Sequence, residues 1–505
     1  MRAIHRIIAL IILHLAWSGC SGSYLNAQSE QPVNIIYILA DDLGIGDVSA
    51  CNARSAWTTP NIDKIAHEGM MFTDAHSGSA VCTPTRYGIL TGNYAWRTRL
   101  KQGVLWSFDD PLIEPDEMTV AKLLQEHNYA TACIGKWHLG LGWTRNALYP
   151  DSIDYTQPVQ GGPLALGFDY FFGIPASLDI PPYVYLENDR VTQIPDHVTE
   201  DTSQMGWWRR GPTSPDFVHE EVLSTLTDKA IGFIQKMADR ADHQPFFLYF
   251  ALTAPHTPIL PLPEFQGQSG TNPYGDFVLQ VDRTVGEILR VLDDNQLTQN
   301  TLLIFTSDNG CSPQADFETL AHFGHDPSAG FRGAKADIFE GGHRIPFIVR
   351  WPGKIEASGI NSQVICLTDL IATVAAILDH PLPFDVGVDS YNLLPVLLNN
   401  SQDEVREGTV HHSVNGSFAI RQGDWKLILC PGSGGWSDPL PGSPETKSLP
   451  PYQLYNLVED PGEMTNLYPE EPERSAALLH LMEKYRREGR STARSCITRP
   501  IPYSQ

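Results

Sequence analysis

Residues 33–40 form an apolar, β-branched run, interrupted only by Asn34, that stops at Asp41-Asp42-Leu43-Gly44. A strand buried on both faces reads this way, because a strand with one wet face alternates apolar and polar positions. Runs of the same kind recur at 131–135, 246–251, 302–306 and 346–349, each bounded by polar, Gly or Pro positions. Between them, residues 119–127, 221–238, 277–292 and 367–378 carry apolar side chains every three or four positions, the period of a helix with one buried face. This alternation predicts an α/β architecture with a large, mostly parallel sheet flanked by helices. Beyond about residue 400 the pattern changes to short strand-like pieces at 417–421 and 425–429 around a Gln-Gly-Asp turn, then an amphipathic helix at 473–488. A smaller C-terminal antiparallel subdomain is therefore expected over 401–505, after a main domain over 32–400. The Gly-, Pro- and Ser-rich stretch 431–451 reads as a surface loop.

In an open parallel sheet, functional groups collect in the loops beyond the carboxyl ends of the strands. Asp41 and Asp42 follow one such strand, Lys136 and His138 a second, His256 a third, and Ser307-Asp308-Asn309-Gly310 a fourth. Charge then narrows the chemistry. With 35 Lys and Arg against 59 Asp and Glu, the net charge of −24 excludes nucleic acid as a partner, since phosphate affinity needs a basic surface. An anionic substrate would need a locally positive pocket built from a few placed cations.

Arg2 and Arg6 precede an apolar run at 7–17 that is too short to span a bilayer, so residues 1–27 read as a signal peptide cleaved after Ala27. The alternative is a lipoprotein signal at 15–20 with Cys20 as the lipidated first residue. The expected location is periplasmic or secreted, or the outer membrane if Cys20 carries lipid. Eight cysteines without a CxxC pair argue against zinc knuckles and redox motifs. Cys133 and Cys366, inside apolar runs, read as small buried side chains.

Cys82-Thr83-Pro84-Thr85-Arg86, followed by Leu90-Thr91-Gly92, resembles the C-x-P-x-R signature and downstream L-T-G of the type I sulfatases, of the bacterial arylsulfatase A and galactosamine-6-sulfatase kind. Five further elements stand in that family's order across most of the chain. They are Asp41-Asp42-Leu43-Gly44, Gly135-Lys136-Trp137-His138-Leu139-Gly140, Ala254-Pro255-His256, Ser307-Asp308-Asn309-Gly310, and Lys335 ahead of Glu340-Gly341-Gly342. The resemblance implies an alkaline-phosphatase-like sandwich and a sulfuric ester hydrolase. It also implies that a formylglycine-generating or anaerobic sulfatase-maturating enzyme converts Cys82 to formylglycine. An aldehyde hydrate offers two hydroxyls on one carbon, one to attack sulfur and one whose collapse expels sulfate, which a serine does not offer.

An ordinary strand-end Asp is a solvated turn or a helix cap. Asp41, Asp42, Asp308 and the amide oxygen of Asn309 together instead supply hard oxygen ligands, and the absence of imidazole or thiolate favours Ca²⁺ over Zn²⁺, with Mg²⁺ as the lesser option. By the resemblance, modified Cys82 and a sulfate oxygen complete the shell. It likewise assigns Arg86 to hydrogen-bond the hydrate, Lys136 and Lys335 to grip sulfate oxygens, His138 to take the proton of the second hydroxyl, and His256 to protonate or contact the leaving oxygen. On an extended backbone Lys136 and His138 would point the same way. His322, His325, His343, His411 and His412 are expected in loops, with solvated or structural roles.

The favoured substrate is a sulfated carbohydrate, from a galactan or a glycosaminoglycan, with residues 179–186, 206–210 and 432–451 shaping a sugar subsite. The rival readings are an arylsulfatase acting on small aryl sulfates, a phosphoester or phosphonate hydrolase of the same superfamily, and a glycan-binding homologue without turnover. The intact Lys136, His138, His256 and Lys335 argue against the last.

Overall fold

The structure, a computed structural model, describes residues 32–145, 147, 152–399 and 403–493. The expected signal at 1–27, with Cys20, lies outside them. Among the described residues no helix is long and apolar enough to cross a membrane. The largest sheet has ten strands, in the order Gly359–Asn361, Met70–Phe72, Phe347–Arg350, Thr301–Ser307, Asn34–Asp41, Phe246–Pro255, Ala130–Lys136, Tyr170–Ile174, Leu186–Glu187 and Arg190–Val191. The five from Thr301–Ser307 through Tyr170–Ile174 run parallel. Phe347–Arg350 is antiparallel to both its neighbours. Its apolar run does not encode that direction, because a strand covered on both faces looks alike either way.

The apolar first run has a simple cause. Ile35, Tyr37 and Leu39 enter one core, with Ile89, Leu123 and Val374 from helices Cys82–Thr91, Val120–Glu126 and Leu370–Ile377. Ile36, Ile38 and Ala40 point the opposite way, into a second core with Ile65, Ile234 and Val285 from helices Pro60–Glu68, Val222–Ala238 and Pro273–Asp294. Local signals start two of these helices: Thr119 accepts from the Lys122 N–H at 3.1 Å, and Asn272 from the Gly275 N–H at 3.2 Å with Pro273 next in line. Helix Pro60–Glu68, strand Tyr170–Ile174 and the hairpin His197–Asp201 with Trp208–Thr213 were not among the expected elements. The hairpin is largely polar and half exposed, so it shows neither periodicity clearly.

After residue 400, strands Thr409–His412, Phe418–Gln422, Trp425–Ile428 and Gln453–Asn456 form an antiparallel sheet in that order. Val410, Ile420, Leu427 and Leu454 pack on Leu478, Leu481 and Tyr485 of helix Pro472–Glu488, together with Tyr94 and Trp96 from earlier in the chain. A buried ionic junction ties this sheet to the rest. Lys426 Nζ lies 3.0 Å from Glu340 Oε1 and 2.9 Å from Glu463 Oε1, while Arg421 holds both Asp74 oxygens at 2.7 Å. Most of the expected surface loop at 431–451 is exposed or half-buried, but Gly432, Ser433, Gly434 and Gly435 are buried. Ile338 N–H donates to Ser433 O at 2.8 Å and Trp436 N–H to Asp337 Oδ1 at 2.8 Å, which docks this loop beside Lys335.

Candidate active site

The four strand ends converge, and backbone hydrogen bonds stitch them together. Asp41 closes its strand, and Asp42 follows in the left-handed region at φ 63°. The Asp42 N–H donates to Asp308 Oδ1 at 3.2 Å, and the Asp308 N–H donates to Ala40 O at 3.1 Å. Asn309 Nδ2 donates to Asp42 Oδ1 at 2.8 Å. Gly310 then passes so close to the Gly341-Gly342 segment that a Cβ on it would lie 1.9 Å from Gly341 O. Its N–H donates to Gly342 O at 3.0 Å, so the Gly-Gly after Glu340 docks the loop carrying Asp308 and Asn309. Gly135, at φ 119°, passes Ala251 O just as tightly before Lys136 ends its strand. Cys82 is the first residue of Cys82–Thr91, whose ten residues are all buried. The unpaired N–H groups at that end favour negative charge.

Three carboxylates face three cations in this interior. Arg86 Nε and Nη2 donate to Asp308 Oδ2 at 3.1 and 2.8 Å, and Nη1 to the Lys136 carbonyl at 3.0 Å. Lys136 Nζ lies 2.8 Å from each Asp41 oxygen, and Lys335 Nζ lies 2.7 Å from Asp42 Oδ2. Burial opposes ionisation of Asp41, but Lys136, His256 and Arg86 outweigh it and hold its pKa well below the usual range. Asp308 is pushed the other way, by burial and by Asp41, against the pull of Arg86. Burial also raises the Cys82 thiol, with Lys136 and Lys335 opposing, so the unmodified side chain is a poor thiolate. The cations therefore give no positive surplus by themselves. A divalent cation would supply one, and the donors fit it: the three carboxylates are hard oxygen ligands, and Asn309 Oδ1 is buried without a partner.

His138 departs from the expected extended backbone, because its φ is 56°, in the left-handed region. Its Nε2–H donates to Leu105 O at 2.8 Å, which leaves Nδ1 as a buried lone pair with no partner. Burial, then Lys136 and Arg86, push its pKa well down and keep the ring neutral. His256 donates from Nδ1 to Thr257 O and presents Nε2 at 3.6 Å from Asp42 Oδ2.

Cys82, Asp42, His138, His256 and Lys335 share one cavity of about 230 Å³. Arg86, Asp41, Lys136, Asp308 and Asn309 lie buried behind it. Of the segments expected to shape a subsite, Asp179, Ile180, Trp207, Arg209 and Trp436 reach this cavity, whereas Tyr183, Val184, Tyr185 and Leu186 are core residues. Val104, Trp106, Ser177, Ser312 and Gln314, outside those segments, also line it. No local pattern marks them, since what selects them is where the chain passes. Larger grooves of about 540 and 650 Å³ lie elsewhere, away from Cys82.

None of the five histidines set aside lines the cavity. His411 and His412 lie in a strand rather than a loop, and His343 ends the short helix Glu340–His343. His76, His343 and His411 form a buried cluster at the junction, His343 stacking on His411 at 3.9 Å. His325 bonds Asp47 at 2.8 Å, and His322 is exposed. Cys133 and Cys366 are buried free thiols.

A parallel sheet with acidic strand ends, buried cations and two histidines around a helix N-terminus defines a hydrolase of the alkaline-phosphatase-like class. The sulfatase family profile matches residues 33–380, and the chain belongs to the sulfatase family, as a sulfuric ester hydrolase. It is 36% identical to an N-acetylgalactosamine-6-O-sulfatase of Bacteroides thetaiotaomicron over 96% of this chain and 99% of that one. It is 33% identical to human arylsulfatase A over 86% and 83% of the two chains. A solved structure from work on glycosaminoglycan metabolism by Bacteroides thetaiotaomicron superposes with a TM-score of 0.78 at 36% identity, over 90% of this chain and 100% of that one.

Proposed function

We propose that this sulfatase removes sulfate from a sulfated carbohydrate of the glycosaminoglycan type, with formylglycine made from Cys82 as nucleophile and one calcium ion bound by Asp41, Asp42, Asp308, Asn309 and the modified Cys82. The observation that carries the reading is the single cavity shared by Cys82, both histidines and Lys335, with Trp106, Trp207 and Trp436 at its wall. Indole faces are suited to sugar rings, whose C–H surfaces are apolar. The similarity to an N-acetylgalactosamine-6-O-sulfatase along nearly the whole chain supports the same choice.

Calcium would polarise a sulfate oxygen and orient the nucleophile. The formylglycine hydrate would attack sulfur with one hydroxyl and release sulfate through the other. Lys136 and Lys335, here paired with Asp41 and Asp42, are the cations available to hold sulfate oxygens. Arg86 fixes Asp308 among the ligands. His138, neutral with a free Nδ1, accepts a proton at that atom. His256, with its Nδ1–H spent on Thr257, donates from Nε2 to the departing alcohol oxygen when protonated.

Because all of Cys82–Thr91 is buried, the maturating enzyme has to reach residues 82–86 before the chain folds. The same proposal includes export to the periplasm or beyond, directed by residues 1–27, or anchoring through a lipid on Cys20.

The test pairs the mass of the peptide containing residue 82 with sulfate release from a panel of defined sulfated saccharides. The aldehyde mass and turnover of a sulfated sugar are expected. An active enzyme whose residue 82 is wholly thiol would overturn the mechanism.

A further inference from the structure

We propose that Asp179 reads a hydroxyl of the sulfated sugar ring through its Oδ1 atom; this rests on the carbohydrate reading above. Asp179 is 7% exposed and lines the cavity that holds Cys82 and His256. Its two oxygens are treated differently. Oδ2 accepts from Arg209 Nη1, while Oδ1 is buried with no partner. Buried carboxylate oxygens are rarely left so, and this one belongs to a residue of the cavity wall.

The support around it is built to hold it still. The Arg209 N–H and Nη1 also donate to the Asp179 carbonyl at 3.3 and 3.1 Å, and the Tyr183 hydroxyl lies 2.5 Å from the Arg209 carbonyl and 3.2 Å from that of Asp179. The Arg209 guanidinium lies 5.2 Å from the Trp106 ring centre and 4.9 Å from that of Trp207, both at the cavity wall. Trp207 is itself fixed by Gln314, 3.3 Å from its Nε1. With Arg209 committed to Oδ2, the free Oδ1 accepts and does not donate. It therefore selects a hydroxyl donor on the ring and gains nothing from an ether or a deoxy carbon.

The experiment uses the matured full chain and its Asp179→Asn and Asp179→Ala variants. The parent substrate is whichever of 6-O-sulfated galactose, N-acetylgalactosamine and N-acetylglucosamine the wild type turns over best, set against its monodeoxy analogues. Wild-type kcat/KM should fall about 10- to 100-fold for one analogue, the loss of a hydrogen bond to a charged group. Asp179→Ala should fall by a similar factor on the parent and no longer distinguish parent from that analogue. If Asp179→Ala does not fold, Asp179→Asn and the wild-type series carry the same comparison. The proposal is overturned if the wild type accepts every analogue equally, or if the variants discriminate as the wild type does, and the carbohydrate reading then still stands. If the wild type hydrolyses an aryl sulfate and no sulfated sugar, the carbohydrate reading itself falls and this proposal with it.

Discussion

Gly310→Ala should impair the site without altering any proposed ligand. Real Cβ atoms essentially never come within 3.0 Å of such a neighbour, and this one would sit 1.9 Å from Gly341 O, so the two loops must separate by at least about 1.1 Å. The three nearest atoms, from Gly341 and Gly342, are all backbone, so no side chain can swing away. Overpacking of this kind costs about 1–3 kcal/mol of stability. The loop that must move carries Asp308 and Asn309, and a misplacement of about 1 Å at a reacting centre costs on the order of 10²-fold in rate. Thermal melts, calcium titration calorimetry and kcat/KM for sulfate release measure the three consequences: a lower Tm, weaker calcium binding, and a loss of about 10²-fold in activity. Gly232→Ala is the control. It sits inside helix Val222–Ala238 with nothing within 4 Å of an added Cβ, so it should stabilise by about 0.5–1 kcal/mol and leave calcium binding alone. A Gly310→Ala enzyme with wild-type calcium affinity and turnover would refute the docking role assigned to Gly341 and Gly342.

Chelation should inactivate the enzyme and calcium, more than zinc, should restore it; Asp308→Ala should imitate the chelated state, and an active protein without stoichiometric divalent metal would contradict the ligand set. His256→Ala should depress turnover of sugar sulfates far more than of an activated aryl sulfate whose phenolate leaves unaided, whereas His138→Ala should depress both alike; the reverse pattern exchanges their roles. Asp282 accepts from the Asn61 and Ile62 N–H groups at the start of Pro60–Glu68, and burial raises its pKa from 3.8 to about 6. A raised folded-state pKa contributes stability that is present below 3.8 and lost as pH rises through 6. Relative to Asp282→Asn, the wild type should therefore gain about 2 kcal/mol between pH 7 and pH 4 in denaturant melts, and a difference that stays flat with pH contradicts the shift.

Much of the fold is written locally. The both-faces-buried strands at Asn34–Asp41 and Thr301–Ser307 carry the continuous apolar stretches 35–40 and 302–305 because each alternate side chain meets its own helical layer. Residues joined by short spacing, such as Lys136 at the end of its strand, were legible for the same reason. Elements with weak periodicity were not: the hairpin His197–Asp201 and Trp208–Thr213 is polar and half exposed, yet it carries Arg209 and follows Trp207 to the cavity.

By itself the sequence determined the layered α/β class, the residues able to supply acid, base, cations and oxygen ligands, and their order along the chain, because strand burial and residue chemistry are local properties. Only the tertiary structure decided which of them meet. Arg86 is spent on Asp308, His138 turns into the left-handed region with a bare Nδ1, and Glu340 serves the junction with Lys426 rather than the cavity. The pairing of Asp179 with Arg209, and of Gly310 with Gly341, likewise joins residues 30 and 31 positions apart. Such approaches depend on how strands pack and where loops cross, and no spacing along one strand or helix records the distance between two loops that fold onto each other.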